Sequence, residues 1–216
     1  IENASFDASC LVENITGLSR TKIMLCDDDI AEEQAELVER AVLRRISGEP
    51  LQYILGEWDF FGRTFEVGEG VLVPRPETEL LVELALEKLR KVRYPVVFDL
   101  CAGSGCVGLT IAAERPDAHV WLFEKYDEAF HYLKRNIEKL GLTNVQAVQY
   151  DITLGYNDKI FETPRSMGSP MIVLTSTRSF IFSIEVPRIP DADCSFILKS
   201  AFHWDFKQIY FSFYCP

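Results

Sequence analysis

The chain comprises 216 residues, 48% apolar and 25% charged, and 22 Lys and Arg stand against 33 Asp and Glu for a formal net charge of −11. This composition excludes disordered, collagen-like and low-complexity chains, and the length admits one or two domains, each with its own core. So acidic a chain is not built to neutralise a phosphate backbone over a broad surface, and no direct nucleic-acid partner is expected.

Residues 1–48 read as a small helical domain. In the segment Ala8 to Ile15 the apolar residues Cys10, Leu11, Val12 and Ile15 precede Gly17, a natural stop. Asp27, Asp28 and Asp29 offer N-cap carboxylates to a further helix, in which Ile30, Gln34, Leu37, Val38, Ala41, Val42 and Arg45 recur at helical spacing. That helix should stop before Gly48-Glu49-Pro50.

Residues 49–76 change character. Tyr53, Ile54, Trp58, Phe60, Phe61, Phe65, Val67, Val71 and Val73 sit among Gly56, Gly62, Gly68 and Gly70, a pattern that predicts a β-hairpin linker with the aromatics in its core. Pro74-Arg75-Pro76-Glu77-Thr78-Glu79 reads as a stiff turn into a helix running through Leu80, Leu81, Leu84 and Leu89 towards Lys91, with Thr78 as its candidate cap. Arg75 and Glu77 are candidates either for the mouth of a site or for a surface pair, and Lys88 to Arg93 for a basic helix end that complements the dipole.

From residue 95 strands and helices alternate. Val96–Leu100, His119–Glu124 and Val145–Tyr150 read as strands; Cys106–Ala113 and Asp127–Leu140 read as helices, the second stopped by Gly141. Such alternation predicts a parallel sheet in a doubly wound α/β fold, a Rossmann-like core spanning residues 77–160.

The pattern then changes. Nearly all of the net charge lies before residue 151, and more than half of the 15 Phe lie after it. Regular alternation gives way to short apolar runs such as Met171–Leu174 and Phe180–Ile184. Residues 161–216 therefore read as an out-of-pattern tail, of altered reading frame in preference to a natural variant, which would leave the sheet incomplete and apolar surface exposed.

No run of about 18 apolar residues is present, so no membrane span is expected. The start, Ile1 to Ser5, is neither basic nor followed by an apolar core, so it does not read as a signal peptide, and without Met it reads as clipped. The six cysteines form no C-x-x-C pair, which favours a reducing cytoplasm over a disulfide or zinc framework. His119, His131 and His203 lack ligand spacing, and no metal is expected.

The chemistry concentrates in Asp99-Leu100-Cys101-Ala102-Gly103-Ser104-Gly105-Cys106-Val107-Gly108, where a strand should end and a helix begin. Gly103 to Gly108 matches G-x-G-x-x-G: glycines allow a tight turn and leave room for a cofactor beside an exposed helix N-terminus. Glu124 closes the next predicted strand, where a carboxylate can accept hydrogen bonds from both hydroxyls of a ribose. Tyr150-Asp151 closes the one after. Three strand ends thus converge on one crevice. Asp99, an anion just before the glycine loop, disfavours a pyrophosphate and suits the cationic ammonium of S-adenosylmethionine, which ranks a nucleotide-dependent oxidoreductase well behind.

With these residues the chain resembles the release-factor glutamine methyltransferase family over roughly residues 4–152. The matching blocks are Gly48 to Gly56, Phe60 to Val67, Val71-Leu72-Val73-Pro74-Arg75-Pro76-Glu77-Thr78-Glu79, Asp99 to Gly108, and Glu124 to Asp151. The resemblance implies a helical domain that docks on a release factor, a hairpin linker, and a methyltransferase domain that uses S-adenosylmethionine to methylate the glutamine amide of a Gly-Gly-Gln loop. It further implies that Asp99, Cys101, Ala102, Gly103, Ser104 and Gly105 cradle the methionyl part of the cofactor, that Glu124 takes the ribose hydroxyls, and that Asp151 and Ile152 flank the adenine. Phe61 is a candidate hairpin aromatic at the cofactor. Cys101 replaces the family's usual glycine and is expected to be tolerated at negative φ; Glu124 replaces the more frequent Asp.

The family's Asn-Pro-Pro-Tyr motif, whose Asn and Pro carbonyl hold the substrate amide, does not occur. The nearest echo is Ile181 to Pro190. Catalytic residues are therefore unassigned, and the second expectation is a monomeric binding module that holds cofactor or partner without turnover.

Overall fold

The computed structural model describes residues 3–25 and 29–154 and, by their backbone, residues 171–177 and 180–186. The N-terminal helices follow their punctuation. In α1 (Ala4–Thr16) the Asn3 side chain accepts a hydrogen bond from the Phe6 N–H, and Gly17 at φ +69° ends the helix by donating to the Glu13 carbonyl. A short α2 (Arg20–Leu25) leads towards α3 (Glu32–Ile46). The expected aspartate cap does not form: α3 starts after Ala31 with no side-chain cap, leaving Asp29 ahead of it, while Asp27 and Asp28 lie outside the described residues. Glu32 and Glu33 in its first turn and Arg44 and Arg45 in its last complement the helix dipole instead. The chain then forms α4 (Leu51–Leu55), a single helical turn ended by Gly56 at φ +80°. Helix wins over the expected strand because it directs Leu51, Ile54 and Leu55 onto Leu11 and Ala41 of the helical cluster.

Strands β1 (Glu57–Phe60) and β2 (Arg63–Glu66) form the expected hairpin. Its two-residue turn, Phe61-Gly62, has φ of +51° and +70°, as the tightest hairpin connections require. Phe61 is held there by its N–H donating to Glu79 Oε1 at 2.8 Å. Phe60 and Phe65 are buried and meet edge to face with centroids 6.1 Å apart. Pro76 occupies the first turn of α5 (Pro76–Leu89), so proline geometry and the extended Arg75 set this start rather than Thr78. Its end falls short of Lys91, at Leu89, where the Arg115 guanidinium donates to the carbonyls of Leu89 (2.5 Å) and Val92 (2.6 Å).

The five-stranded sheet consists of β3 (Val96–Leu100), β4 (His119–Glu124), β5 (Val145–Gln149), β6 (Met171–Thr177) and β7 (Phe180–Val186) in the order β5-β4-β3-β6-β7. Only β7 runs antiparallel. Helices α6 (Cys106–Glu114) and α7 (Asp127–Leu140) make the crossovers. Val96, Val97 and Phe98 of β3 are fully buried, as a central parallel strand demands. From β3 the chain proceeds to β4 and β5 on one side and returns as β6 on the other. The order reverses between β3 and β6, which puts the carboxyl end of β3 at the switch point where open α/β sheets take their ligands.

The segment after residue 160 departs from the expected loss of pattern: Met171–Thr177 pairs with β3 in register, Asp99 facing Leu174 and Leu100 facing Thr175. The Asn-Pro-Pro-Tyr echo at Ile181 to Val186 falls on edge strand β7, not beside β3, and residues 187–190 lie outside the described residues. The carboxyl end of the strand next to β3 is instead Leu174-Thr175-Ser176-Thr177.

Candidate functional site

Between β3 and α6 the loop 101–105 is pinned peptide by peptide. The Ala102 N–H donates to the Phe123 carbonyl at 2.9 Å, the Gly103 N–H to Glu124 Oε2 at 2.9 Å, and the Gly105 N–H to the Ala102 carbonyl at 2.8 Å. Gly103 and Gly105 adopt φ of +59° and +83°. A Cβ at Gly105 would lie 2.5 Å from Leu133 Cδ1, so this glycine serves helix packing as well as the turn. Cys101 corrects the sequence expectation: its φ is +60°, not negative, so the absent glycine is felt as backbone strain.

Asp99 lies beneath the loop rather than in the crevice and is 1% exposed. Its Oδ2 accepts from the Gly108 N–H at 2.9 Å, and Oδ1 has no partner among the described residues. Burial pushes its carboxyl up to about 7, against the pull of the Gly108 N–H and with a further push from the charge of Glu124. Gly108 is required here, because a Cβ would stand 2.8 Å from both Asp99 Oδ2 and Leu122 Cδ2.

Glu124, also buried, accepts three backbone hydrogen bonds: Gly103 on Oε2, and Lys125 (2.7 Å) and Tyr126 (3.0 Å) on Oε1. It forms one wall of a cleft of about 540 Å³ that is also lined by Tyr53, Gly70, Val71, Leu72, Cys101, Gly103, Tyr126, Tyr150, Asp151 and Ile152. The size suits a nucleoside-sized ligand. At the far end Asp151 accepts from the Thr153 N–H (3.0 Å) and hydroxyl (2.6 Å) and pairs with Lys125 Nζ at 2.8 Å. The Lys125 ammonium, then Thr153, holds this carboxyl at about 2. Asp151 is thus an anionic hydrogen-bond acceptor at neutral pH.

The structure brings Cys101, Gly103, Glu124, Asp151 and Ile152 to one cleft, and places Asp99 and Gly105 behind it. Ala102 and Ser104 face a narrow recess of about 40 Å³ with Pro74, Arg75 and Thr78. Phe61 is a correction: it packs on the main core at the hairpin turn, outside the cleft. Of the aromatics in residues 49–76, Tyr53 lines the cleft, and its hydroxyl donates to the Val71 carbonyl at 2.5 Å. The sequence pattern puts Tyr53 and Val71 in the hairpin linker and marks neither as a cleft residue; the helical turn of α4 places Tyr53 at the cleft. Burial pushes the Cys101 thiol up to about 11 and the Cys106 thiol to about 12, so neither is a thiolate nucleophile. Among the described residues no ion pair joins Arg75 to Glu77, no cluster of His, Cys, Asp and Glu could hold a metal, and no helix is long and apolar enough to cross a membrane.

Residues 1–56 match the family described as PrmC N-terminal domain, and residues 56–164 match the family described as conserved hypothetical protein 95. The release factor glutamine methyltransferase of Burkholderia pseudomallei is 41% identical over 137 residues, 63% of this chain and 48% of that protein. That of Bifidobacterium longum is 37% identical over 198 residues, 88% of this chain and 67% of that protein. An alignment of that extent runs well past residue 152 and takes in β6 and β7. The chain spans about half the length of the first of these relatives and two thirds of the second. A SAM-dependent methyltransferase from Agrobacterium tumefaciens is 21% identical, with a TM-score of 0.42 over 55% of this chain and 38% of that one. With its helical domain, linker and glycine-loop sheet all falling within matched segments, the chain belongs to the release factor glutamine methyltransferase family.

Proposed function

We propose that this chain binds S-adenosylmethionine in the cleft at the carboxyl ends of β3 and β4 and methylates the glutamine side-chain amide of the Gly-Gly-Gln loop of a peptide chain release factor. The observation that carries this reading is the junction of the glycine loop with Glu124 at the reversal of strand order. A loop whose N–H groups are fixed by Glu124 and Phe123 is preorganised, so little ordering remains to be done when a ligand arrives. The cofactor supplies an electrophilic methyl group on a sulfonium.

In this reading the chain's own residues bind and orient. Glu124 would take the ribose hydroxyls, Asp151 and Ile152 would flank the adenine, and Gly103 leaves open the space a side chain would fill. The buried Asp99 supports the loop from beneath, through the Gly108 N–H. Tyr53, Val71 and Leu72 line the same cleft. An amide nitrogen is a weak nucleophile, so transfer depends on its being held in line. The helical domain of residues 1–48 would dock the release factor, in the cytoplasm, with the enzyme a monomer.

The missing Asn-Pro-Pro-Tyr is the observation behind the alternative, a module that binds cofactor or partner without turnover. Calorimetric titration with S-adenosylmethionine tests the shared premise: saturable binding is expected, lost in Gly103→Asp. Absence of binding by the folded wild-type chain would overturn both readings of the cofactor site. Transfer of a labelled methyl group to a release factor then separates them.

A further inference from the structure

The cleft has two walls that come from distant parts of the chain, and a single side chain ties their supports together. Asn136 on α7 is fully buried, one helical face with Ala129 and Leu133. Its Oδ1 accepts from the Glu66 N–H at 2.7 Å, and its Nδ2 donates both to the Glu66 carbonyl at 3.0 Å and to the Ser104 carbonyl at 2.9 Å. The amide therefore pairs with both backbone groups at the end of β2, as a further strand would, and spends its remaining hydrogen on the glycine loop. Both donors and one acceptor site are used, which leaves one sense of the amide only: rotated by half a turn, Nδ2 would face the Glu66 N–H and Oδ1 would face two carbonyls.

Glu66 leads directly through Val67 and Gly68 to Gly70, Val71 and Leu72, one wall of the cleft; Ser104 follows Gly103, the other. The walls approach closely, since a Cβ at Gly103 would lie 3.7 Å from Val71 Cγ2. We infer that Asn136 is the positioning residue that locks the hairpin to the glycine loop and thereby sets the width of the cofactor cleft. The inference rests on the cofactor reading above for its effect on affinity, but the lock itself is a property of the free chain.

Asn136→Asp is the informative variant, because it keeps size and shape while aiming an anion at two carbonyl oxygens. Protonation of the new carboxyl restores one donor. The variant should remain folded, bind S-adenosylmethionine at least tenfold more weakly than wild type at pH 8.5, and recover most of that loss at pH 6, each ratio taken against wild type at the same pH. A folded variant that binds within twofold of wild type at pH 8.5, or whose deficit does not change with pH, overturns the inference. If the Asp variant fails to fold, Asn136→Ala carries the test through the same affinity ratio at one pH. Should wild type bind no cofactor, the cofactor reading fails and the lock is judged by hydrogen exchange in the free chain. There the Glu66, Gly103 and Gly105 amides should lose protection together in the variant, by tenfold or more relative to the amides of β4; retained protection at Gly103 and Gly105 overturns it.

Discussion

The Gly103 N–H and the Glu124 carboxylate meet at 2.9 Å across 21 residues of sequence. This contact joins the turn after β3 to the end of β4, so the loop cannot move without losing a charge-assisted hydrogen bond. It also means that Glu124 is oriented before any ligand arrives. Two further N–H groups, of Lys125 and Tyr126, hold its other oxygen.

Replacing Glu124 by Gln sets an NH₂ group against one side of this three-donor arrangement. One charge-assisted bond is lost and a donor faces a donor, a change worth about 2 kcal/mol. Calorimetry should show S-adenosylmethionine affinity reduced by about tenfold or more, with the fold preserved by circular dichroism. Undiminished affinity would remove Glu124 from the ribose site.

Cys101 at φ +60° should gain from glycine. The left-handed conformation costs a non-glycine residue about 1–2 kcal/mol, and glycine's greater freedom in the unfolded chain returns roughly 0.5–1 kcal/mol of that. Cys101→Gly is expected to raise stability by about 0.5–1 kcal/mol in urea unfolding. Destabilisation would show that the half-buried thiol contributes packing that outweighs the strain.

Gly108→Ala should do the reverse. Its new Cβ would stand 2.8 Å from Asp99 Oδ2 and Leu122 Cδ2, and neither can retreat within a packed sheet–helix interface. Overpacking of this kind costs about 1–3 kcal/mol. The lowered urea midpoint should be accompanied by loss of the Gly108 N–H to Asp99 contact, detectable as faster exchange of that amide. Unchanged stability would mean the α6 start is less closely seated than the structure has it.

Asp99 predicts a pH dependence with a definite sign. Its folded value of about 7 lies above the ordinary 3.8, so between these limits the native state holds a proton the unfolded state has released. Stability attributable to this group is therefore full below about pH 4, falls as pH rises towards 7, and is level above. Asp99→Asn can keep an acceptor for the Gly108 N–H and cannot ionise. Its stability should accordingly change less than that of wild type between pH 5 and 8, compared by urea unfolding; equal slopes would show that another group carries the dependence.

Much of this was legible in the chain itself. Alternation of Val96–Leu100, His119–Glu124 and Val145–Gln149 with two helices determined a parallel sheet, because parallel neighbours need a crossover long enough to hold a helix. Gly103, Gly105 and Gly108 marked the turn, and Glu124 and Asp151 the strand ends, since local backbone demands and chemistry-bearing termini are written in adjacent residues. Long-range geometry was not. The left-handed Cys101 follows from a loop pinned by Phe123 and Glu124, and Phe61 turns away from the cleft because its N–H is held by Glu79. The strand beside β3 was written in a short apolar run without periodicity, and only pairing with β3 identified Met171–Thr177. Asn136 shows the distinction most plainly: within α7 it is one polar residue among many, and its role comes from meeting Glu66 and Ser104, 70 and 32 residues away, in a space where an unpaired amide could not be buried.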